Sequence, residues 1–478
     1  MSNWETVVGL EVHVQLKTAT KLFSPAPVRF GQAPNVDVDA TDAGLPGALP
    51  VLNQEAVSLA LKVGLALGST IRRRSVFTRK HYFYPDLPKG YQITQSEAPI
   101  LEGGALSFVV DDATAAEKTV ELVRAHLEED AGKSMHADDG TRLDWNRSGT
   151  PLLEVVTTPS MSSGEEAMRF FRALRSIVVA LEVCDGNLQE GSMRADANVS
   201  VRRPGAPLGT RVELKNINSP RNLHDAVVDE ARRQIALING GAAVVQETRL
   251  WDADRAQSRS MRSKEDAPDY RYFPDPDLPV VVVDEARIER ARASMPELPG
   301  ARAKRYVEAF GLAQKQAAVV VNEPELTAYF ETALKTTQAG REKSVANWLV
   351  NEVLGLDDGL ARVRPAQLAR LVALVEDGAL AGKSGKELVR TLTSDDDVDA
   401  VVDARGLRLQ QGGAVDDAVR AVVRQVFADN PTQVAGVKAG KDKLKGFLVG
   451  QSMKKLSSSS VGAVDPKRVQ QIVDEELS

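Results

Sequence analysis

The chain has 478 residues, 43% hydrophobic and 26% charged, with a formal net charge of −6 and one cysteine, Cys184. That length exceeds one ordinary core, so about two to four domains are expected. A single cysteine excludes an internal disulfide and a cysteine-built zinc site, and the net charge excludes nucleic-acid binding by bulk attraction, leaving it to local basic patches. No apolar run approaches the roughly 18 to 20 residues that span a bilayer. The opening MSNWETVV lacks the basic and apolar regions of a secretory signal, so a cytoplasmic protein is expected.

The first predicted element is a strand in VVGLEVHVQLK, residues 7–17. On a helix, Glu11 and His13 would face opposite ways. On a strand, Glu11, His13, Gln15 and Lys17 share one face, while Val8, Leu10, Val12, Val14 and Leu16 form an apolar row on the other. The aromatic-rich RKHYFYPDLPKGYQITQ follows at 79–95. It reads either as a proline turn packed by aromatics or as a site-lining loop in which Lys80, Asp86 and Lys89 meet a polar substrate. Aromatics with protruding cations also suit a nucleic-acid end.

Alternation returns in VELVRAHLEEDAG, where Arg124, His126 and Glu128 share a face, and again in SMRADANVSVR, with Arg194, Asp196 and Asn198. In TRVELKNIN the polar set is Arg211, Glu213 and Lys215. TPLLEVVTTP carries a lone Glu154 in an apolar strand, and a buried carboxylate needs a cation or strong donors nearby. Together Glu11, His13, Glu128, Glu154, Asp196 and Glu213 could converge on the wet face of an antiparallel sheet. Carboxylates with one imidazole suit Mg²⁺ or Mn²⁺ better than zinc. Arg124, Arg194, Arg211 and Lys215 would suit phosphate oxygens, and the mixture is what phosphoryl transfer needs. The plainer reading is a solvated face with cross-strand salt bridges. Alternation sends Glu128 and Glu129 to opposite faces, so regular geometry allows at most one of them on a given metal.

Two Gly-Lys-Ser sequences, AGKSMH and AGKSGKEL, are not P-loops: the required glycine five positions earlier is Leu127 or Asp377. Cys184 has no motif around it and reads as a passive thiol. Near residue 290 the pattern becomes helical, in ARAKRYVEAFGL, EPELTAYFETALKTT, EKSVANWLVNEVLGL and RPAQLARLVALVEDGAL, with SMPELPG punctuating the change. A second boundary is placed in the acidic TSDDDVDAVVDARGL. Residues 438–455 hold six lysines against one acid, Asp442, and a last helix opens at Asp465-Pro466. The expected architecture is α+β: a large domain over 1–292, a helical domain over 293–405 and a small helical tail over 406–478.

The segments VVGLEVHVQLKTATKLFSP, RKHYFYPDLPKGYQITQ, HLEEDAGKS, DWNRSGTPLLEVVTTP, EGSMRADANVSVR, TRVELKNINS and DYRYFPDPDLP occur in the order and spacing of the GatB family. The chain resembles this family from about residue 3 to its end, with a YqeY-like tail. Its members are the B component of the heterotrimeric aspartyl/glutamyl-tRNA(Asn/Gln) amidotransferase, GatCAB. The resemblance implies a glutamine synthetase-like cradle that uses ATP and Mg²⁺, or Mn²⁺, to phosphorylate the side-chain carboxylate of Glu on tRNA-Gln or Asp on tRNA-Asn. Ammonia released from glutamine by the A component, a glutaminase, then displaces phosphate. The C component completes the heterotrimer.

Carried over by motif, the metal and catalytic positions are Glu11, His13, Glu128, Glu129, Glu154, Asp196 and Glu213, with Arg194, Arg211 and Lys215 toward phosphate. Glu129 is also the candidate gate to the ammonia channel, and Lys80, Tyr82, Asp86 and Lys89 line that channel and its pocket. Lys441, Lys443, Lys445, Lys454 and Lys455 are the expected tRNA contacts. Many relatives carry zinc-knuckle cysteines in the stretch aligned with PNVDVDATDAGLPG. This chain has none there, so no zinc is expected and the loop is left to be held by packing alone. The competing readings are a non-catalytic tRNA-binding scaffold and a free-standing carboxylate-amine ligase of the glutamine synthetase type.

Overall fold

The strand read from residues 7–17 is β1 (Glu5–Gln15), and its apolar row from Val8 to Val14 is fully buried, continued by Leu16 beyond its end. In the computed structural model, residues 4–477 are described except 112–113, 115, 138, 264–268, 411, 442 and 458–462; Asp442 therefore lies outside the described residues. The strands after β1 are, in order, β2 (Thr70–Ile71), β3 (Arg74–Ser75), β4 (Thr78–His81), β5 (Tyr91–Thr94), β6 (Leu101–Glu102), β7 (Ala105–Asp111) and β8 (Ala116–Glu129). They continue with β9 (Lys133–Ala137), β10 (Gly140–Asp144), β11 (Pro151–Thr157), β12 (Met193–Arg202), β13 (Val212–Ile217), β14 (Glu247–Asp252), β15 (Gln257–Ser263), β16 (Phe273–Pro274) and β17 (Val281–Val282).

The chain folds as two compact units, 1–302 and 303–478. The first is built on one sheet of order β15-β14-β13-β12-β1-β11-β8-β6-β2, with β7 also paired to β8. β1 thus has partners on both sides. Its apolar face packs with α1 (Gln54–Ala66), α2 (Gly164–Ala180) and α3 (Pro220–Asn239), where Val57, Phe170, Phe171, Leu174 and Leu223 join Val8, Val12 and Val14 in one core. Serine caps start two of these helices: Ser163 Oγ accepts from Glu166 N and Ser219 Oγ from Asn222 N.

Two expectations need correction. The sheet is not wholly antiparallel, because β13 and β14 pair in parallel. Helix α3 and the following loop carry the chain back to lie alongside β13 in the same direction, as a parallel pair requires. The cysteine-free loop is not held by packing alone either. Asn35 exchanges hydrogen bonds with Asp144, Leu143 and Trp145, Asp37 N donates to Asn146 Oδ1, Arg29 pairs with Asp37, and Lys21 with Asp42. Its larger apolar side chains Val36 and Leu45 are more than half exposed, so polar groups tie this loop down.

The second unit is helical. Helices Pro299–Phe310 (whose first four residues precede the division), Pro324–Leu334, Glu342–Trp348 and Pro365–Glu376 arise from the four periodic segments. A π-turn, Leu349–Val353, continues the third. Asp397 caps Val398–Ala404, and Val398 and Val402 are buried with the preceding helices, so the acidic stretch forms part of that core. A separate core gathers Val419, Val423, Leu448, Val469 and Ile472 from Gly413–Asp429, Lys443–Ser457 and Pro466–Leu477. Asp465 Oδ1 accepts from Lys467 N at the start of the last helix. Among the described residues no helix is long and apolar enough to cross a membrane.

Candidate functional site

Register decides which polar side chains meet. His13 of β1 lies opposite Glu154 of β11, and Glu154 opposite His126 of β8. On its other side His13 lies opposite Arg194 of β12. His126, Glu154, His13 and Arg194 therefore form one row across four strands, on the face away from the helices. Glu128, two residues beyond His126, joins them. His13 Nε2 is 3.5 Å from Glu154 and 3.6 Å from Glu128, while His126 Nε2 is 3.6 Å from each carboxylate.

These separations are too long for hydrogen bonds but suited to donors turned toward a shared cation. One donor atom each from His13, Glu128 and Glu154 lies within 4.8 Å of the others. The Nδ1 atoms of both histidines are buried without a hydrogen-bond partner among the described residues, so the rings are held by packing and by the carboxylates. An O,O,N set of this kind fits a divalent ion. Burial pushes Glu154 upward, but His126, His13 and Lys80 outweigh it and hold the carboxyl well below its usual range. Burial pulls His13 down, yet Glu154 and Glu128 outweigh burial and Arg194 and leave it raised.

A second group sits beside the first. Glu11 lies opposite Asp196, and Asn198 opposite Glu213. Lys215 Nζ bridges Asp196 at 2.5 Å and Glu213 at 3.1 Å, Thr248 Oγ1 donates to Glu213 at 2.8 Å, and Asn198 Nδ2 donates to Glu11 at 3.0 Å. Burial raises Glu11, and the Glu154, Glu213 and Asp196 carboxylates add to it, so Glu11 electrostatically links the two groups. The seven expected metal-site residues thus do not close into one ring. His13, Glu128 and Glu154 form one set, and Glu11, Asp196 and Glu213 form another around Lys215.

Glu129 stands apart from both. Its carboxylate takes Lys89 Nζ at 2.5 and 2.6 Å and Ile93 N at 2.9 Å, with both side chains buried. Strand alternation aims it away from Glu128, which instead accepts from Thr94 Oγ1 at 3.1 Å. Consecutive residues of β5 therefore sort the two glutamates. Burial raises Glu129 and Lys89 opposes that.

Among the basic candidates, Arg194 is held by Asp130 through two bonds of 2.8 and 2.9 Å, which engage two of its five N–H donors. Arg211 is exposed just before β13. Arg124, on the His126 face, has a buried Nε without a partner among the described residues. Lys80 lies 4.8 Å over the Tyr270 ring and 5.8 Å over Tyr82. Burial pulls its ammonium down, but Glu128, the two tyrosines Tyr272 and Tyr270, and Glu154 more than compensate. Burial first, and then Glu128, Glu129, Asp130 and Asp86, push the Tyr82 hydroxyl upward. Asp86 is turned to the β9–β10 hairpin, accepting from Ser134 Oγ at 3.2 Å. Cys184 is buried, its thiol pushed up to about 12 by burial, as befits a passive side chain.

Sequence reasoning missed two residues. His126 shared a face with Glu128 by alternation, but its partners became visible only with the register of β8 on β11. Asp130 follows the glutamate pair in LEEDAG, and nothing in that spelling announces Arg194 as its partner, 64 residues away.

In the tail, Lys441 and Lys443 are exposed, whereas Lys445 pairs with Asp474 at 3.0 Å and Lys455 with Asp429 at 2.6 Å. Lys454, on the same helix, also has a partner.

A family model described as the GatB/GatE catalytic domain matches residues 6–289, and one described as the GatB domain matches 328–477. A protein of Bordetella pertussis, named as the B component of the aspartyl/glutamyl-tRNA(Asn/Gln) amidotransferase, is 48% identical, over 99% of this chain and 100% of its own. Proteins of the same name from Ralstonia pickettii (48% identical, 99% of each chain) and Burkholderia vietnamiensis (47%, 100% of each) are as similar. With a catalytic-domain match over more than half its length and full-length relatives near half identity, the chain belongs to the GatB family.

Proposed function

We propose that this chain is the carboxylate-activating component of a tRNA-dependent amidotransferase, a glutamine-dependent carbon–nitrogen ligase. It works in a heterotrimer with a glutaminase and a third protein, the A and C components, on Glu-tRNA(Gln), Asp-tRNA(Asn) or both. The supporting observation is a lone apolar-strand carboxylate, Glu154, that meets Glu128, His13 and His126 on the polar face of the central sheet.

A free carboxylate is a poor electrophile. Transfer of the γ-phosphoryl group of ATP to a side-chain oxygen, with ADP leaving, gives an acyl phosphate; ammonia then attacks the acyl carbon and inorganic phosphate departs with the C–O bond. A nucleophilic side chain is not needed. His13, Glu128 and Glu154 would hold Mg²⁺ or Mn²⁺, with Glu11, Asp196 and Glu213 as a neighbouring acidic set. A bound divalent ion supplies charge neutralisation for the phosphates. Lys80 and Arg124 face the same space and suit the substrate carboxylate or phosphate oxygens. The Lys89–Glu129 pair is the proposed entry for ammonia. Residues 406–478, with their own small core and exposed lysines, would grip the tRNA backbone, since phosphate contacts position a nucleic acid without reading it.

The test assembles the complete heterotrimer with misacylated tRNA, glutamine, ATP and Mg²⁺. Amidated aminoacyl-tRNA is expected, and Glu154→Gln should lower its rate by about 10²-fold or more, as loss of electrostatic machinery does. ATP consumption with free glutamate in the absence of tRNA would instead establish a small-molecule ligase.

A further inference from the structure

Lys21 and Asp42 form the most deeply buried ion pair outside the polar sheet face among the described residues, Nζ to Oδ2 at 2.9 Å, with exposures of 0% and 2%. Such a pair repays its desolvation only with good geometry and satisfied neighbours. Here the same Asp42 oxygen also accepts from Asp39 N at 3.0 Å. The pair is closed off by Gly149, whose φ of +83° and lack of a side chain are both needed: a Cβ there would fall 2.6 Å from Asp42 Oδ1. Gly149 N in turn donates to Asp130 O, the residue after Glu129.

The turn anchored by Asp42 reaches Lys89. Gly44, at φ +67°, lies so close that a Cβ would meet Lys89 Cγ at 2.9 Å and its Cα at 3.1 Å. Asp42 is also near enough to Glu129 to add to its upward push. Two buried carboxylates, Asp42 and Glu129, thus sit near two ammonium groups, and each has its own.

We infer that Lys21 and Asp42 are positioning residues for the Lys89–Glu129 pair. Lys21 neutralises Asp42, so Lys89 is left to Glu129 alone, and the turn they anchor presses Gly44 onto the Lys89 stem. In a loop without metal-binding cysteines, a buried ion pair does the fastening and is at the same time coupled to the proposed ammonia entry. This rests on the amidotransferase reading above, and it adds two residues and a loop that the site itself does not contain.

The experiment uses the complete heterotrimer and compares amidation supported by glutamine with amidation supported by ammonium chloride. Lys21→Met leaves Asp42 to compete for Lys89. It should cut the glutamine-supported rate about tenfold while the ammonium-supported rate stays within about twofold, and Lys21→Met with Asp42→Asn should recover most of the loss. Gly44→Ala tests the same link by pushing on the Lys89 stem while leaving both charges of the Lys21–Asp42 pair in place, and should give the same split. Equal loss with both nitrogen sources in Gly44→Ala, or no loss in either variant, would overturn the inference. Should Lys21→Met fail to fold, Gly44→Ala decides alone. If the unsubstituted complex amidates tRNA with neither source, it is the functional reading that fails.

Discussion

Arg194 shows how a single residue's partner changes its meaning. On spacing it belongs with the phosphate-binding cations, yet its guanidinium grips buried Asp130 through two bonds, with Arg147 3.5 Å from the same carboxylate. Burial alone would raise Asp130, but Arg194 and Arg147 outweigh it and bring it down to about 2. The folded-state value lies below the unfolded one of about 3.9, so the contribution, on the order of 2–3 kcal/mol, is present above pH 4 and lost as pH falls toward 2. Arg194→Met removes the bidentate cation and leaves the buried carboxylate to Arg147, at a cost of up to about 3–5 kcal/mol at neutral pH. Without its strongest cation Asp130 moves up from about 2, so the deficit should shrink as pH falls from about 5 toward 2. Denaturant unfolding of both proteins across that range checks this; parallel curves would show that Asp130 is not the group responsible.

At the level of elements, β13 illustrates how a strand re-aims side chains. Between Ala195 and Ala197 its register on β12 jumps from Ile217 to Leu214, three residues against two. The extra residue is accommodated at Asn216, whose φ is +68° and whose Nδ2 donates to Trp251 O at 3.1 Å. The bulge turns Ile217 into the core while Lys215 still reaches Asp196 and Glu213. Asparagine tolerates the left-handed region; a β-branched residue does not. Asn216→Val should therefore cost about 1–3 kcal/mol and reduce amidation, whereas Asn216→Gly should stay within about 1 kcal/mol and retain activity. Thermal unfolding together with the amidation rate distinguishes them, and equal behaviour of the two variants would remove the bulge from the account.

Across the whole molecule, a net charge of −6 coexists with a tail that offers exposed lysines. Lys441 and Lys443 point into solvent, but Lys445 and Lys455 are already neutralised by Asp474 and Asp429. If the tail holds the tRNA backbone, Lys441→Glu with Lys443→Glu should raise KM for aminoacyl-tRNA, leave kcat near its original value and flatten the salt dependence of binding by about one unit of slope per lysine. Lys445→Ala and Lys455→Ala should have smaller effects. Salt titrations of tRNA binding provide the measurement, and an unchanged slope in the double variant would move the contact elsewhere.

Much of this was written in local pattern. Period-two alternation located the strands and their polar faces, and three- and four-residue periodicity located the later helices, because both follow from backbone geometry that each segment carries with it. Long motifs in order carried the family resemblance. Pairing was settled only in three dimensions: that His126 completes the Glu128–Glu154–His13 group, that Arg194 belongs to Asp130, that Glu129 turns to Lys89, and that Lys21 and Asp42 fasten the cysteine-free loop. The sheet pairings depend on which strands lie side by side and in what register, and the loop pairing on how the chain turns back on itself. Both are set by contacts between residues far apart in sequence, to which no single segment holds the key.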